Sequence, residues 1–352
     1  MSWFLPIHRR RRKSGRMDPH IKAEIRGRLG LLTLDRPQAL NALTHGMIAD
    51  LAERLAEWAA DDAIAAVAIR GAGERAFCAG GDIRAVQQAV IAGSDAGARL
   101  LRDEYRLNAA IGAYPKPYVA LLHGFVLGGG AGVSVHGRFR LADTSLGFGM
   151  PETGIGFIPD VGGSHFLSRC PGELGLYLGL TGARIGLGDA MAAGLVTHAV
   201  RAEDFDTVIE RLSRGEGIES VARKPPPGEL APHYRRIETI FSAASVEAIL
   251  ERLDRDGSDF AQETARTLRA RSLTALKLTY RTIRAARALD LRQCLAMEYR
   301  VALRVLETHD FREGVRAALV DKDRAPRWNP ASLAGVGDLD RFFAPLETGE
   351  LF

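Results

Sequence analysis

Glu152 and Asp160 are two carboxylates eight residues apart in a stretch, 148–163, whose other members are glycine, proline, apolar side chains and one threonine. An acid in apolar surroundings is costly unless something holds it, and held acids serve as general acids, general bases or nucleophiles. The local pattern also admits plainer roles. Asp160 could N-cap a helix beginning at Val161, and Glu152 could be a favourable first-turn charge after Pro151. Two glycine-rich loops, Phe77-Cys78-Ala79-Gly80-Gly81-Asp82 and Leu127–Gly132, follow apolar segments. Glycine has no Cβ, so two such loops can bring two backbone N–H groups onto one ligand atom, which is what a developing oxyanion needs. Either loop alone reads equally well as a turn or a packing point.

Rival chemistries can be checked against the same residues. No Gly-Lys dipeptide occurs in the chain, which removes a phosphate-binding P-loop, and the 128–132 cluster lacks the third glycine of a dinucleotide fingerprint. Gly132-Val133-Ser134-Val135-His136 resembles a nucleophile elbow, but its fifth residue is His where Gly is needed, leaving Ser134 as a buried structural residue. Cys78, Cys170 and Cys294 are far apart and show no metal-ligand spacing, so no metal and no disulfide framework are expected. His123 and His136 flank the second glycine loop and read as structural histidines.

The elements that must position these residues follow from periodicity. Ile21–Ile25 and Leu29–Leu34 read as two strands around a turn at Gly27, and Asp35-Arg36-Pro37 ends them. Met47, Leu51, Leu55 and Trp58 recur at helical intervals within 43–60, with Thr44 as N-cap, and 63–69 is an apolar strand. A helix over 98–111 ends before Pro115 and Pro117, and the strand 118–123 leads into the glycine cluster. Strands over 139–142 and 145–148 lead to Glu152. Strands alternating with helices predict an α/β class. Lys224-Pro225-Pro226-Pro227-Gly228 cannot be helix interior, and beyond it the pattern is helical, notably 273–288 and 291–306. The expected organisation is a basic tail over 1–17, an α/β core over 18–212, a linker over 213–232 and a helical region over 233–352.

Charge excludes more than it proposes. The chain has 352 residues and a net charge of +4, yet Arg9, Arg10, Arg11, Arg12, Lys13 and Arg16 sit in its first sixteen residues without an acid. The remaining body carries −2, so nucleic acid is not an expected partner, and the tail reads as solvated and disordered, or as preceding a true start at Met17. No apolar segment after the charges makes a secretory signal, and no run is long enough to span a bilayer, which points to a cytoplasmic protein. Six lysines against 41 arginines is the bias of a GC-rich bacterial genome.

Four motifs together carry a resemblance. LDRPQALNAL at 34–43, AFCAGGDI at 76–83, HGFVLGGGAGVSVHG at 123–137 and MPETGIGFIPDVGGSHFLSR at 150–169 resemble, in order, those of the enoyl-CoA hydratase/isomerase (crotonase) superfamily. The resemblance implies a ββα spiral core with a helical C-terminal region. Hydratases of this kind need a second glutamate where this chain has Gly132 and a glycine where it has Asp160. The Glu152/Asp160 pair is similar instead to the 3-hydroxyisobutyryl-CoA hydrolase branch, as are RDEYRLN at 102–108, LTALKLTYR at 273–281, AMEYR at 296–300 and the segment 309–330. Dienoyl-CoA isomerases also place an acid at both positions and are the runner-up, and an acyl-CoA-binding protein without turnover is the non-enzymatic rival.

That branch implies hydrolysis of an acyl-CoA thioester in valine breakdown, with no cofactor beyond the CoA of the substrate. The N–H groups of Gly81 and Gly129 would hold the thioester oxygen, Glu152 would be nucleophile or general base, and Asp160 would orient water or the substrate hydroxyl. Glu104, a solvated helical acid on its residue pattern alone, matches a substrate-contacting position. Gln38, Ala39, Leu40, Ala42, Ala79, Asp82 and Ile83 match stretches lining the CoA nucleotide. No membrane partner is implied, and the resemblance leaves room for a homo-oligomer.

Overall fold

The computed structural model describes residues 18–347 and 349–352. The basic tail expected over 1–17 lies outside the described residues. Among the described residues nine strands form two sheets: β1 Ile21–Arg26, β2 Leu29–Leu34, β3 Ala66–Gly71, β4 Ala76–Cys78, β5 Tyr118–Leu122, β6 Phe125–Leu127, β7 Phe139–Ala142, β8 Gly147–Gly149 and β9 His198–Ala199. The larger sheet has the order β1-β2-β3-β5-β7-β9, antiparallel only at its β1–β2 hairpin. The smaller sheet, β4-β6-β8, is wholly parallel. From β3 onward the chain gives successive strands alternately to the two sheets, which is a spiral of repeated turns.

Burial on both faces explains why β2, β3 and β5 read as continuous apolar runs rather than alternating ones. One face of the large sheet, with Leu29, Leu31, Ala68, Val119 and Leu121, packs on Val208, Ile209 and Leu212 of the helix Asp204–Ser213. The other face, with Leu32, Leu34, Val67, Ile69 and Ala120, packs on Met47, Leu51, Leu55 and Trp58 of helix α1, His45–Ala60. The Thr44 side chain accepts from Met47 N at 3.1 Å and starts α1 where its sequence placed it.

Further helices are α2 Ile83–Ile91, α3 Ala96–Gly112, the single turn α4 Gly129–Gly132 and α5 Gly163–Leu167. Beyond residue 233 the described elements are helical, including Leu273–Ala286 and Leu291–Leu306. These helices share the core of the α1 face, through Ile237, Leu276, Leu295, Tyr299 and others. The proline-rich stretch is tied down at its end, since Asp189 accepts from Glu229 N and Leu230 N and from the Tyr234 hydroxyl.

Candidate active site

The three parallel strands of the small sheet fix the site. In β4–β6 the pairs are Ala76↔Phe125 and Cys78↔Val126, and in β6–β8 they are Phe125↔Gly147 and Leu127↔Gly149. Parallel neighbours end at the same edge, so the chain leaves that edge three times side by side: into Ala79-Gly80-Gly81, into Gly128-Gly129 and into Met150-Pro151-Glu152. Open α/β sheets bind ligands at this carboxyl edge.

The two glycine loops meet there. A Cβ built on Gly129 would lie 3.2 Å from Gly81 N, and one on Gly80 would lie 3.8 Å from Gly129 N. Neither Gly81 N nor Gly129 N donates a hydrogen bond among the described residues. Two unspent donors on touching loops are the arrangement an oxyanion requires. Gly81 is half-buried, and no heavy atom lies within 4 Å of its added Cβ, so intramolecular crowding does not demand glycine there. Gly128 has φ +47, and its Cβ would sit 2.9 Å from Glu152 Oε1. At Gly129 the obstacle is Glu104 Oε1 at 2.6 Å. The carboxyl groups of Glu152 and Glu104 thus press on the same turn, one at Gly128 and one at Gly129.

Burial makes these acids unusual. Glu104, Glu152 and Asp160 are 3%, 8% and 7% exposed, which corrects the solvated reading of Glu104. It lies on α3 with Tyr105, and the α3 face that carries them is turned to α4 rather than to water. Glu104 Oε1 and Glu152 Oε2 have no hydrogen-bond partner among the described residues. Loss of water pushes Glu104 up to about 8 and Glu152 well above the usual carboxylate range, and the charge of Asp160 adds to both shifts. Asp160 rises only to about 6, because the Tyr105 hydroxyl donates to its Oδ2 at 2.6 Å and opposes the effect of burial.

The helix-cap role considered for Asp160 does not hold. Helix α5 begins at Gly163, two residues after Val161, and the Asp160 carboxylate is turned toward Tyr105 instead. The cap comes from 134 residues away. Glu298, on the Leu291–Leu306 helix, accepts from Gly162 N at 2.7 Å, from Ser164 N at 2.8 Å and from the Ser164 hydroxyl. On the other side His136 Nε2 donates to Val161 O at 2.7 Å. Burial lowers His136 to about 4, so the ring is neutral and keeps one N–H for this bond. Between the two clamps Val161 has φ +54, a left-handed conformation that a β-branched residue adopts only when its surroundings impose it. Glu152 does open a turn after Pro151, the 3-10 turn Glu152–Ile155, so its first-turn placement is real and the buried carboxyl comes with it.

The segments expected to line a nucleotide come together at the outer end. Leu43 and Gly81 form a bridge, Ala79 N donates to Leu40 O at 2.9 Å, and Asp82 N donates to Leu43 O at 3.0 Å. Gln38 is exposed, while Ala39, Leu40, Ala42, Ala79, Asp82 and Ile83 are half-buried. The Asp82 side chain is already used, capping α2 through Ala85 N and pairing with Arg36. Buried Asn41 ties this loop to the strands: its Oδ1 accepts from Arg36 N, and its Nδ2 donates to Ala72 O and Ala76 O at 2.9 Å each.

Sequence reasoning missed Asn41, Tyr105, Asn108, His136's clamp and Glu298. All five lay in quoted motifs, and His136 reads from the sequence as structural. Ser134 is buried and donates to Gly130 O at 2.7 Å, in keeping with a structural role. No group of three or more His, Cys, Asp or Glu among the described residues could hold a metal, and the three cysteines are free and buried.

A Cβ built at Gly132 would lie 2.7 Å from Val161 Cβ and 2.8 Å from Asn108 Nδ2, so any side chain there would force these neighbours to shift. A family model described as enoyl-CoA hydratase/isomerase matches residues 29–343. The chain belongs to that family. It is 45% identical over 341 residues to the mitochondrial 3-hydroxyisobutyryl-CoA hydrolase of Danio rerio, covering 92% of this chain and 89% of that one. To the Homo sapiens protein of the same name it is 42% identical over 358 residues, covering 96% and 93%. Among solved structures, a carnitinyl-CoA dehydratase from Mycobacterium thermoresistibile superposes with TM-score 0.91 at 42% identity, over 95% of this chain and 99% of that one. An enoyl-CoA hydratase from Rhodobacter sphaeroides 2.4.1 gives TM-score 0.91 at 38% identity with the same coverage. No helix among the described residues is long and apolar enough to cross a membrane.

Proposed function

We propose that this chain hydrolyses 3-hydroxyisobutyryl-CoA to 3-hydroxyisobutyrate and free CoA. The observation that carries the proposal is the pairing of two unspent N–H donors, Gly81 and Gly129, with the buried Glu152 carboxyl at Gly128, where Gly132 supplies no second hydration acid. The hydrolase name borne by the curated relatives supports it. Two of the similar solved proteins are named a dehydratase and a hydratase, whose reactions at the acyl carbons call for an acid that Gly132 does not supply.

In this reading the thioester oxygen lies between Gly81 N–H and Gly129 N–H, which stabilise negative charge as the carbonyl carbon is attacked. Removing one such donor typically costs about 10² to 10³ in rate. Glu152 either adds to the carbonyl, expelling CoA thiolate and leaving an anhydride that water opens, or takes a proton from the attacking water. Both routes consume one water and yield carboxylate and thiol. Asp160, aimed by Tyr105, orients the water or the acyl hydroxyl, and Gln38 through Ala42 with Ala79 through Ile83 receive the nucleotide at the exposed end. The reaction needs no cofactor, and we place it in the cytoplasm of a bacterium, although the curated relatives are named mitochondrial.

Thiol release over a panel of acyl-CoA esters tests this. The wild type should release CoA from the 3-hydroxyisobutyryl ester, and Glu152→Gln should abolish release while retaining ester binding. Undiminished turnover by Glu152→Gln would sink the assignment, and binding without turnover by wild type would make the chain a carrier.

A further inference from the structure

Asn108 lies on α3 with 0% exposure, and neither its Oδ1 nor its Nδ2 has a hydrogen-bond partner among the described residues. Buried amides are almost always paired, so one with both ends unpaired needs an explanation. Its position supplies one. Glu104 is four residues earlier on the same helix face, also with an unpartnered oxygen. Opposite them on α4 are Gly129 and Gly132, three residues apart, whose added Cβ atoms would lie 2.6 Å from Glu104 Oε1 and 2.8 Å from Asn108 Nδ2. Between Glu104 and Asn108 on α3, Tyr105 reaches Asp160. Asn108 therefore stands about one helical turn, roughly 5 Å, beyond the Gly129 N–H that would hold the thioester oxygen. That is the reach from a thioester carbonyl to a polar substituent two carbons along the acyl chain.

We propose that Asn108 is a specificity-determining residue, its amide pairing with a hydroxyl on the third carbon of the acyl group beside the Glu104 carboxyl. The inference rests on the thioester-hydrolase reading and deepens it by naming the side chain that selects the acyl group. An amide can donate through Nδ2 and accept through Oδ1, so it satisfies a hydroxyl in both of the hydroxyl's roles. An acyl chain lacking that hydroxyl leaves both ends buried and unpaired, which is how a polar site rejects an apolar analogue. Being neutral, the amide binds there without transferring a proton, in space that a hydration acid at position 132 would have entered.

The test compares kcat/KM for thiol release from 3-hydroxyisobutyryl-CoA and from isobutyryl-CoA, in wild type and in Asn108→Leu, with Asn108→Ala as the smaller variant in case leucine crowds Gly132. Wild type should prefer the hydroxylated ester by about 10² or more, and the variants should lose at least about tenfold of that preference while changing little toward isobutyryl-CoA. A residue needed only for packing would slow both esters alike, and a preference ratio unchanged in a folded variant overturns the inference. Wild type releasing no thiol from either ester overturns the hydrolase reading itself, an outcome separate from an unchanged ratio with turnover intact.

Discussion

Glu298→Ala should loosen the turn that aims Asp160, and the size of the effect can be worked from its contacts. Glu298 is fully buried and accepts from Gly162 N, Ser164 N and the Ser164 hydroxyl. A buried donor left unpaired costs about 1–3 kcal/mol, so the three donors released together set a loss of about 3 kcal/mol or more. Glu298→Gln keeps one carbonyl oxygen for the Ser164 pair and turns an NH2 toward Gly162 N–H, so it should lose about 1–3 kcal/mol, the cost of one buried donor left unpaired. The turn also holds Val161 at φ +54, a conformation costing on the order of 1–3 kcal/mol, which relaxes once a clamp is gone. Denaturant midpoints at pH 7 should therefore fall in the order wild type, Gln, Ala. In native buffer kcat for thiol release should drop about 10²-fold in Glu298→Ala with KM nearly unchanged, since the nucleotide segments lie elsewhere. Glu298→Ala unfolding within about 0.5 kcal/mol of wild type, with full kcat, would refute the clamp.

Two further outcomes concern the titration of the site. Tyr105→Phe removes the 2.6 Å bond that opposes burial at Asp160, so the Asp160 carboxyl should titrate higher, by about one unit for a charge-assisted bond, read from its side-chain carbon-13 shift against pH; an unmoved titration in a folded variant would show that Tyr105 does not hold Asp160. Glu104 is raised from 4.5 to about 8, so the folded state holds its proton more tightly than the unfolded chain, and the resulting stability is full below 4.5 and lost as pH rises through 8. At its largest this is on the order of 5 kcal/mol, and Glu104→Gln should remove that part of the pH dependence, measured as denaturant midpoints at pH 5 and 8.5; identical slopes in wild type and variant would contradict the burial of an ionisable Glu104.

What could be read from the sequence was whatever local pattern controls. Thr44 before an amphipathic run gave α1, the apolar runs gave β2, β3 and β5, and Leu291–Leu306 is a helix with the bounds its periodicity indicated. The small sheet was largely illegible. Its strands are three residues each, too short for periodicity, and β4 and β6 were absorbed into the flanks of the glycine loops. The glycine loops were visible as candidates, but nothing local could say that parallel strands bring them together. Glu104 reads as surface because helical spacing identifies a face, not what covers it, and here Gly129 on another turn lies against its carboxyl. Glu298 was out of reach for the same reason: a glutamate capping a helix begun 135 residues earlier leaves no mark near either end.

The distribution of acids around one glycine turn separates hydrolysis from hydration. Adding water across an acyl double bond needs one group to take a proton from the water and one to give a proton to the adjacent carbon. Here the turn has an acid against Gly128 and an acid against Gly129, but at Gly132 it meets Val161 and an amide. Val161 can stand so close only because it takes a left-handed backbone, and it keeps that backbone through Glu298 and His136. On the proposed reading, the choice between hydrolysis and hydration is therefore partly set by the Leu291–Leu306 helix that carries Glu298. A Gly132→Glu substitution alone would not install hydration, because the clamped Val161 occupies the space the new side chain needs.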